Sequence, residues 1–367
     1  MKILIATGLY PPEIGGPATY AVFLEKFLGL HGVSCSVLPY SEVRKYPKAI
    51  RHLAYIIKLL LRSQGVTLFY ALDTVSVGLP VRVVSFITRK PYFLRVPGDY
   101  AWEQGQQRFG ITETLDEFLL SKKKTWKVTM LSRIQYYVAL HATKVVVPSE
   151  YMKSVVSRWG IELKKITRVY SALTLDLSTE TKTELRSRFE YDGFVVSTAG
   201  RLVPWKGMEV LIDVVAQLYK QGKKIRLEIM GDGELRSELE RHVEKIGAQE
   251  YVHFYGVVDK RELKDRIKAS DVFVLNTSYE GLSHQLLEVM DCGTPVITTP
   301  VGGNAELIED GKEGLLVSFN DKEGIIEALT RVATDERLQE HIVGNAHEKV
   351  SLFREEVIIP EVVKLFT

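Results

Sequence analysis

Short apolar runs alternate with helical stretches along most of the chain, and this alternation constrains the fold more than any other feature. Short apolar runs between turn signals are typical of strands that are buried on both faces. Such strands form parallel sheets, in which helices make the crossovers and cover both faces. The sequence therefore predicts an α/β protein. The predicted strands are residues 1–7, 34–39, 66–71, 92–96 and 144–148, followed by 194–199, 225–230, 252–255, 272–276, 295–298 and 314–317.

A polar stretch separates these strands into two groups. Residues 171–189, SALTLDLSTETKTELRSRF, are rich in Ser and Thr and interrupt the apolar pattern. A chain of 367 residues is long enough for two domains of ordinary size. We therefore expect two doubly wound domains, with their boundary within residues 172–190.

Two glutamates, Glu280 and Glu288, stand in the second half of the chain within the run YEGLSHQLLEVMDCGTPVI. If residues 283–292 form a helix, the rise per residue places the two carboxylates at most about 12 Å apart. An ionised carboxylate only accepts hydrogen bonds, so the pair could hold hydroxyls at two ends of one extended ligand. Two glutamates at helical spacing are more often part of a solvated surface, so the neighbouring residues must decide between these interpretations.

Two cations follow a predicted strand upstream of the glutamates. The strand at 194–199 ends before Gly200, and Arg201 and Lys206 come next, ahead of an apolar helical period. Ligands of parallel sheets bind beyond the carboxyl ends of the strands, where helix N-termini and backbone amides face phosphate. Arg201 and Lys206 are therefore candidates for neutralising a diphosphate. Taken alone, two cations after a strand are ordinary surface residues about half the time.

Together these motifs resemble a known family. The order GR-x4-KG, IMGDGELRSELE, the two glutamates and TPVGGNAELIEDGKEGLLV is similar to that of the retaining glycosyltransferases of family 4. The resemblance covers nearly the whole chain and implies the GT-B fold, two Rossmann-like doubly wound parallel-sheet domains facing a cleft. It implies an acceptor-binding domain at residues 1–175, completed by a C-terminal helix at 350–367, and a donor-binding domain at 176–349. The implied reaction moves a hexose from a UDP-sugar or GDP-sugar to an acceptor and retains the anomeric configuration.

The resemblance also implies roles for individual residues. Arg201 and Lys206 would stabilise the departing diphosphate, Glu280 would hold the transferred sugar, and Glu288 would hold the ribose hydroxyls. The other implied donor-binding residues are Gly15, Gly16, Gly231, Gly233, Ser283, His284 and Gln285. Gly231 and Gly233 could equally form only a tight turn, and His284 and Gln285 could equally be uninvolved helix residues. No cofactor is expected, because the glycine fingerprint of a dinucleotide site is incomplete. No metal is expected either, because no cluster of His, Cys and carboxylates has ligand spacing.

One position departs from the family. Many relatives carry a histidine after the fourth strand, where this chain has RVPGDYAWE with Asp99. An aspartate there could accept a hydrogen bond from the sugar or a proton from the acceptor, so Asp99 is also a catalytic candidate. Pro97, Gly98 and Asp99 together are equally a strong turn signal, and both interpretations stay open.

Charge is divided unevenly along the chain. Residues 1–170 carry 24 Lys and Arg against 11 Asp and Glu, a net charge of +13, whereas the remainder carries 24 against 35, a net charge of −11. A basic first half suggests an anionic partner such as a phospholipid surface or a lipid-linked acceptor.

Two basic amphipathic stretches stand out there. Residues 47–63 can place Ile50, Leu53, Ala54, Ile57 and Leu61 on one helical face, and residues 121–131 surround Trp126 with Lys122, Lys123, Lys124 and Lys127.

A tryptophan among lysines suits a membrane interface, although both stretches could be ordinary amphipathic surface helices. We therefore predict a cytoplasmic enzyme, peripheral on the inner membrane face, that acts in glycolipid or cell-surface polysaccharide biosynthesis. The alternatives are a family 4 transferase with a soluble sugar acceptor and a catalytically silent scaffold that binds nucleotide-sugars. No nucleic-acid partner is expected, because no reading motif accompanies the basic residues.

Overall fold

The computed structural model describes residues 1–13, 16–47, 50–121, 123–173 and 179–366. The chain divides into two compact units, one formed by Met1–Ser171 with Glu356–Thr367 and the other by Ala172–Glu355. The domain boundary expected between residues 175 and 176 lies outside the described residues. The last residues of the first unit thus follow the whole second unit in the sequence.

The first unit is built on one parallel sheet covered by helices. Its strands are β1 (Lys2–Thr7), β2 (Ser34–Pro39), β3 (Leu68–Ala71), β4 (Tyr92–Arg95), β5 (Lys144–Val147) and β6 (Ile166–Arg168). Its helices are α1 (Gly16–Leu30), α2 (Arg51–Arg62), α3 (Gly78–Thr88), α4 (Tyr100–Arg108), α5 (Leu115–Leu120), α6 (Trp126–His141) and α7 (Glu150–Arg158). The strands are buried because apolar side chains such as Ile3, Phe69 and Val146 meet helices on both faces.

The strand order of the first sheet is β2-β1-β3-β4-β5-β6. The chain passes from β1 to β2 in one direction and then from β2 to β3 in the other, so the order reverses between β1 and β3. In doubly wound sheets this reversal opens a crevice beyond the carboxyl ends of the two strands.

The second unit repeats this plan. Its strands are β7 (Phe194–Ala199), β8 (Ile225–Met230), β9 (Val252–Gly256), β10 (Val272–Leu275), β11 (Val296–Thr298) and β12 (Leu315–Leu316). Its helices are α8 (Lys182–Arg188), α9 (Met208–Lys220), α10 (Arg236–Ile246), α11 (Lys260–Ala269), α12 (His284–Asp291), α13 (Asn304–Leu307), α14 (Lys322–Thr334) and α15 (Glu336–Ser351). Apolar residues of β7, β8 and β10, including Val196, Leu227 and Val274, form its core with α9 and α14.

The strand order of the second sheet is β12-β11-β10-β7-β8-β9, so its order reverses between β7 and β10. The predicted α/β class with two doubly wound parallel sheets is thus confirmed. All eleven predicted strands are present, and β6 was not predicted. No helix in the described ranges combines the length and the apolar character needed to cross a bilayer.

The final helix, α16 (Glu355–Lys364), contains Pro360 and belongs largely to the first unit. Phe366, just beyond this helix, stacks on Phe93 of β4 with 5.8 Å between ring centroids and meets Tyr70 of β3 edge-on at 5.6 Å. These contacts bury the end of the described chain against the first sheet.

Candidate functional site

The loops that follow β7 and β10 meet at the crevice of the second sheet. The backbone N–H of Ser278 and the hydroxyl of Thr277, both after β10, donate to the carbonyl oxygen of Trp205, after β7, at 2.8 and 3.1 Å. Trp205 and Thr277 are buried, so these hydrogen bonds are protected from water. The two loops are therefore held in one fixed arrangement at the position where doubly wound sheets bind ligands.

This arrangement brings two of the predicted residues together. Lys206, in the β7 loop, forms an ion pair with Glu280, in the β10 loop. The side chains are only 14% and 16% exposed. An ammonium group has three donors, so Lys206 can hold Glu280 and still donate to an oxygen of an anionic ligand.

Arg201 lies in the same loop and is exposed. Its guanidinium carbon lies 5.5 Å from the ring centroid of Trp205. A guanidinium over an indole ring is attracted by the ring quadrupole and keeps its N–H donors at the edge of the plane. Arg201 thus presents a fork of donors beside Lys206.

The two glycines predicted after β8 hold the backbone around Arg201. A Cβ on Gly231 would overlap the carbonyl oxygen of Gly200, and a Cβ on Gly233 would overlap that of Leu202. The N–H of Leu202 donates to the carbonyl of Asp232 at 3.0 Å. Only glycine permits backbones to approach so closely, so Gly231 and Gly233 fix the loop on both sides of Arg201.

Glu280 is held through its own backbone. Its carbonyl oxygen accepts a hydrogen bond of 3.0 Å from the N–H of Gly303, in the loop after β11. Gly302 has a φ of +59°, and a Cβ there would overlap the same carbonyl. The loop VGGN is therefore stacked on the loop YEGLS, which orients Glu280.

Helix α12 begins directly after this loop. Ser283 is its N-cap, and the Ser283 hydroxyl accepts a hydrogen bond of 3.3 Å from the N–H of Leu286. His284 and Gln285 occupy its first two positions and are half-buried. The Nε2 atom of Gln285 is buried and has no hydrogen-bond partner within the described residues. A buried donor without a partner is costly, so Gln285 is suited to donate to a ligand oxygen.

Glu288 lies one turn further along α12, with its side chain 13% exposed. Burial raises the pKa of Glu288 above its ordinary value of 4.5, although Lys260 and Lys264 oppose this shift. The Nζ of Lys260 is 3.6 Å from the Oε1 of Glu288. Glu288 is therefore a carboxylate kept largely out of water and only weakly compensated.

Sequence analysis did not single out the asparagines that clamp these loops. The amide of Asn276, at the end of β10, donates to the carbonyl of Gly207 at 2.9 Å and to Asn320 at 2.8 Å. Asn276 accepts in return from the N–H of Asn320 at 2.9 Å. Gly207, with a φ of +51°, leaves room for this amide. An asparagine directly after the apolar run VFVL was the available signal for a buried polar clamp.

The remaining predicted residues lie in the first unit. Gly15 lies outside the described residues, and Gly16 begins α1 with open space around its α-carbon. Asp99 is fully buried as the N-cap of α4. It accepts hydrogen bonds from the N–H of Trp102 at 3.0 Å, from Gln135 at 3.1 Å and from the indole of Trp159 at 3.0 Å.

This environment favours the structural interpretation of Asp99. Burial raises its pKa, and the three donors oppose that shift. A carboxylate engaged in this way ties α4 to α6 and to the residue after α7. The catalytic role of Asp99 stays a prediction.

Another carboxylate, which sequence analysis passed over, lies at the crevice of the first sheet. Asp73 follows β3 and accepts hydrogen bonds of 3.0 Å from the N–H groups of Val75 and Val77, both on Oδ1. Its Oδ2 faces Gly8, after β1, so closely that a Cβ on Gly8 would lie 2.8 Å away. Asp73 thus stands between β1 and β3, where the strand order of the first unit reverses.

Within the described ranges, no group of three or more His, Cys, Asp and Glu side chains is arranged to hold a metal ion.

Comparison with known proteins identifies the second unit. Residues 181–349 match the family described as Glycosyl transferases group 1. This match lies within the second unit, which we call the glycosyltransferase domain. Arg201, Lys206, Glu280 and Glu288 all lie inside this glycosyltransferase domain.

Two curated relatives match part of the chain. The lipopolysaccharide core biosynthesis glycosyltransferase LpsE of Rhizobium meliloti is 34% identical over 168 residues, which are 46% of this chain and 48% of that protein. Mannosylfructose-phosphate synthase of Agrobacterium fabrum is 32% identical over 186 residues, which are 48% of this chain and 41% of that protein. The chain thus spans about half the length of the curated relatives it matches.

The whole chain resembles a solved structure. The crystal structure of Anabaena HepE in complex with UDP and glucose matches with a TM-score of 0.80 and covers 100% of this chain and 99% of that one, at 19% identity. At this identity the likeness concerns the fold. It confirms the predicted GT-B fold class.

Proposed function

We propose that this protein is a retaining glycosyltransferase that moves a hexose from a nucleotide-sugar, UDP-glucose being the first donor to test, to an acceptor hydroxyl. The observation that carries the proposal is the Lys206–Glu280 ion pair at the crevice of the glycosyltransferase domain. A cation and a carboxylate side by side match a ligand that carries a diphosphate next to a polyhydroxyl ring.

The donor would bind along the loops at this crevice. The diphosphate would lie beside Arg201 and Lys206 and before the N-terminus of α12, whose amide groups favour an anion. Glu280 would accept hydrogen bonds from hydroxyls of the sugar, and Glu288 from hydroxyls of the ribose. Gln285 would donate its unpaired N–H to an oxygen of the donor.

The reaction would proceed by substitution on one face of the sugar. The bond between C1 and the phosphate oxygen breaks, and its electron pair stays on the diphosphate, where Arg201 and Lys206 stabilise the new charge. The acceptor oxygen forms the new bond to C1 on the same face. Its proton passes to the departing phosphate oxygen, so no protein nucleophile is required.

The proposed acceptor is lipid-linked, and the protein would work peripherally on the cytoplasmic face of the inner membrane. The excess of Lys and Arg in residues 1–170 supports this, as does the similarity to a relative named for lipopolysaccharide core biosynthesis. The similarity to mannosylfructose-phosphate synthase supports the second candidate, transfer to a soluble sugar acceptor.

The first experiment measures thermal unfolding with UDP, GDP, ADP, UDP-glucose and GDP-mannose. A ligand at about 100 times its Kd stabilises the folded state by about 2.7 kcal/mol, which corresponds to roughly 5–10 °C. We expect one nucleotide and its sugar to give such a shift. Lys206→Gln should lose it, because the diphosphate loses a cation that is largely shielded from water.

The matched control is Lys220→Gln, an exposed lysine at the end of α9 in the same unit, which should keep the full shift. If no nucleotide stabilises the protein, the transferase proposal fails. Tight binding without transfer or donor hydrolysis would instead indicate a silent nucleotide-sugar scaffold.

A further inference from the structure

Three helices of the first unit, α2, α3 and α6, lie side by side on one face of its sheet. They belong to the successive crossovers from β2 to β3, β3 to β4 and β4 to β5, which all run in the same direction across the sheet. Right-handed crossovers in one direction place their helices on the same face. In agreement, α2 packs on α3 and α3 packs on α6. The outward sides of the three helices therefore form one surface.

Helix α2 turns a row of apolar side chains outward. Leu53, Ile57 and Leu61 recur at helical spacing and are all exposed, Leu61 to 77%. Its inward side is occupied by Tyr55 and Leu59, which are fully buried. A surface helix normally faces solvent with polar residues, so the outward row needs another explanation.

The neighbouring helices also expose apolar side chains. Phe86 at 73% and Trp126 at 70% are the most exposed apolar side chains of α3 and α6. The guanidinium of Arg82 lies 5.4 Å from the ring centroids of both Phe86 and Tyr137, and so links α3 to α6. We name this area the outer helical surface. Its apolar members are Leu53, Ile57, Leu61, Phe86, Ile87, Trp126, Met130 and Tyr137.

The outer helical surface is unusual within this molecule. Among the described residues of the second unit, Val257 and Leu352 are the only large apolar residues that are exposed. A contiguous apolar area of several side chains marks an interaction site more often than chance exposure does.

Charge identifies the partner. Helices α2, α3 and α6 contain no Asp or Glu, whereas cations such as Arg51, Arg82, Arg89, Lys127 and Arg133 lie among the apolar residues. Lys58 and Arg62 pair with Glu42, at 2.6 and 2.9 Å, and the other cations keep the surface positive. Lys122 lies outside the described residues. An apolar surface with a basic surround and an exposed tryptophan matches the interface of an anionic bilayer.

We propose that the outer helical surface docks on an anionic lipid bilayer, with its apolar side chains entering the headgroup region and its cations facing lipid phosphates. This proposal deepens the proposed function. It rests on that function in one respect, since docking would bring a lipid-linked acceptor to the enzyme. Lipid binding itself requires no donor, so the two proposals can fail separately.

The test is sedimentation of the full chain with vesicles of phosphatidylcholine, with and without phosphatidylglycerol. We expect binding to the anionic vesicles that high salt weakens but does not abolish, because salt screens the charges and leaves apolar burial intact. The triple variant Leu61→Ser, Phe86→Ser and Trp126→Ser should bind at least about tenfold more weakly. All three side chains are exposed, so the variant should fold.

The matched control is Val257→Ser with Leu352→Ser, which removes two exposed apolar side chains from the second unit and should leave lipid binding unchanged. Equal binding by the triple variant and the wild type would overturn the proposal, as would absence of binding to anionic vesicles. A lipid-free dimer that the triple variant abolishes would assign the surface to a second copy of the chain instead.

Fluorescence gives an independent readout. Of the four tryptophans, Trp126 is exposed, Trp159 is half-buried, and Trp102 and Trp205 are buried. We expect brominated anionic lipids to quench the wild-type emission and to quench that of Trp126→Phe much less. Equal quenching of both proteins would contradict insertion at this surface.

Discussion

At the scale of single residues, three charged groups of the site, Lys206, Glu280 and Glu288, are kept largely out of water. Lys206 and Glu280 form an ion pair, whereas burial raises the pKa of Glu288 despite the opposing charges of Lys260, 3.6 Å away, and Lys264. A carboxylate kept largely out of water, with a raised pKa despite these two lysines, destabilises the ligand-free protein when it is ionised. A ribose that donates two hydroxyls would remove this cost, so Glu288 is better suited to binding than to stability.

The pH dependence of nucleotide binding tests this role of Glu288. Hydroxyl groups donate to the carboxylate form, and the pKa of Glu288 is raised above 4.5. We therefore expect the affinity for the nucleotide to fall on acidification at a higher pH than an ordinary glutamate would give. Calorimetric titration of wild type and Glu288→Gln across this range should show a pH-dependent Kd in the wild type only.

The same shift predicts an opposite effect on stability. Because the folded-state pKa is raised, the contribution of Glu288 to stability is present below pH 4.5 and is lost as the pH rises through its folded-state pKa. Ligand-free Glu288→Gln should therefore melt above the wild type at neutral pH and lose this advantage in acid. A variant that melts lower at neutral pH would show that Glu288 stabilises the free protein.

At the scale of elements, periodicity predicted the strands and the helix near Ser283 because both depend on local patterns. Helix α12 runs from His284 to Asp291, within the predicted span. The sequence did not predict β6, since this strand has three residues, two of them polar. Nor did it show which side of α2 is buried: the stripe through Leu53 and Leu61 follows from periodicity, but its outward direction depends on packing.

Contacts between loops were also beyond prediction from the sequence. The Lys206–Glu280 pair, the Asn276 clamp and the stacking of Gly302 on Glu280 join residues that are distant in the chain. The order of the motifs identified Lys206 and Glu280 as site residues. The reason they touch is visible only in the structure, where the loops after β7 and β10 meet at the crevice.

Two glycines with positive φ values allow the effect of loop stacking on Glu280 to be separated from the effect of backbone strain. Gly302 and Gly311 both have positive φ values, +59° and +73°, but a Cβ meets the Glu280 carbonyl at Gly302 and open space at Gly311. Either change to alanine should cost about 1 kcal/mol of folding free energy from backbone strain. Only Gly302→Ala should also displace Glu280 and weaken nucleotide binding.

Thermal unfolding with and without nucleotide separates these effects. Gly311→Ala should lower the melting temperature and keep the full nucleotide shift, whereas Gly302→Ala should reduce both. An unchanged nucleotide shift in Gly302→Ala would mean that Glu280 keeps its position without this packing.

At the scale of the whole molecule, the two sheets share one topology. Each has a carboxylate near the point where its strand order reverses. Glu280 follows β10 in the second unit, and Asp73 follows β3 in the first. Asp73 turns one oxygen towards Gly8, beside the crevice between β1 and β3. A carboxylate there can accept a hydrogen bond from an acceptor hydroxyl, so we expect the two units to bind different substrates.

This division predicts that Asp73→Asn leaves the nucleotide-induced thermal shift unchanged and reduces sugar transfer to an alkyl glucoside at least about tenfold, as loss of a charged hydrogen bond implies. Transfer is measured with whichever nucleotide-sugar stabilises the protein. The control is Asp116→Asn, an exposed carboxylate of the same unit paired with Arg158. Loss of the nucleotide shift would place Asp73 on the donor side, and full transfer would remove it from the reaction.

The return of α16 to the first unit has a consequence for synthesis on the ribosome. Phe366 packs on Phe93 and Tyr70, so the first sheet is not fully covered until these last residues have left the exit tunnel. At about 5–20 residues per second, translation of the second unit keeps that apolar patch open for on the order of ten to forty seconds. During this interval the nascent N-terminal half is the part of the chain most in need of a chaperone, and the second unit can finish folding before the first.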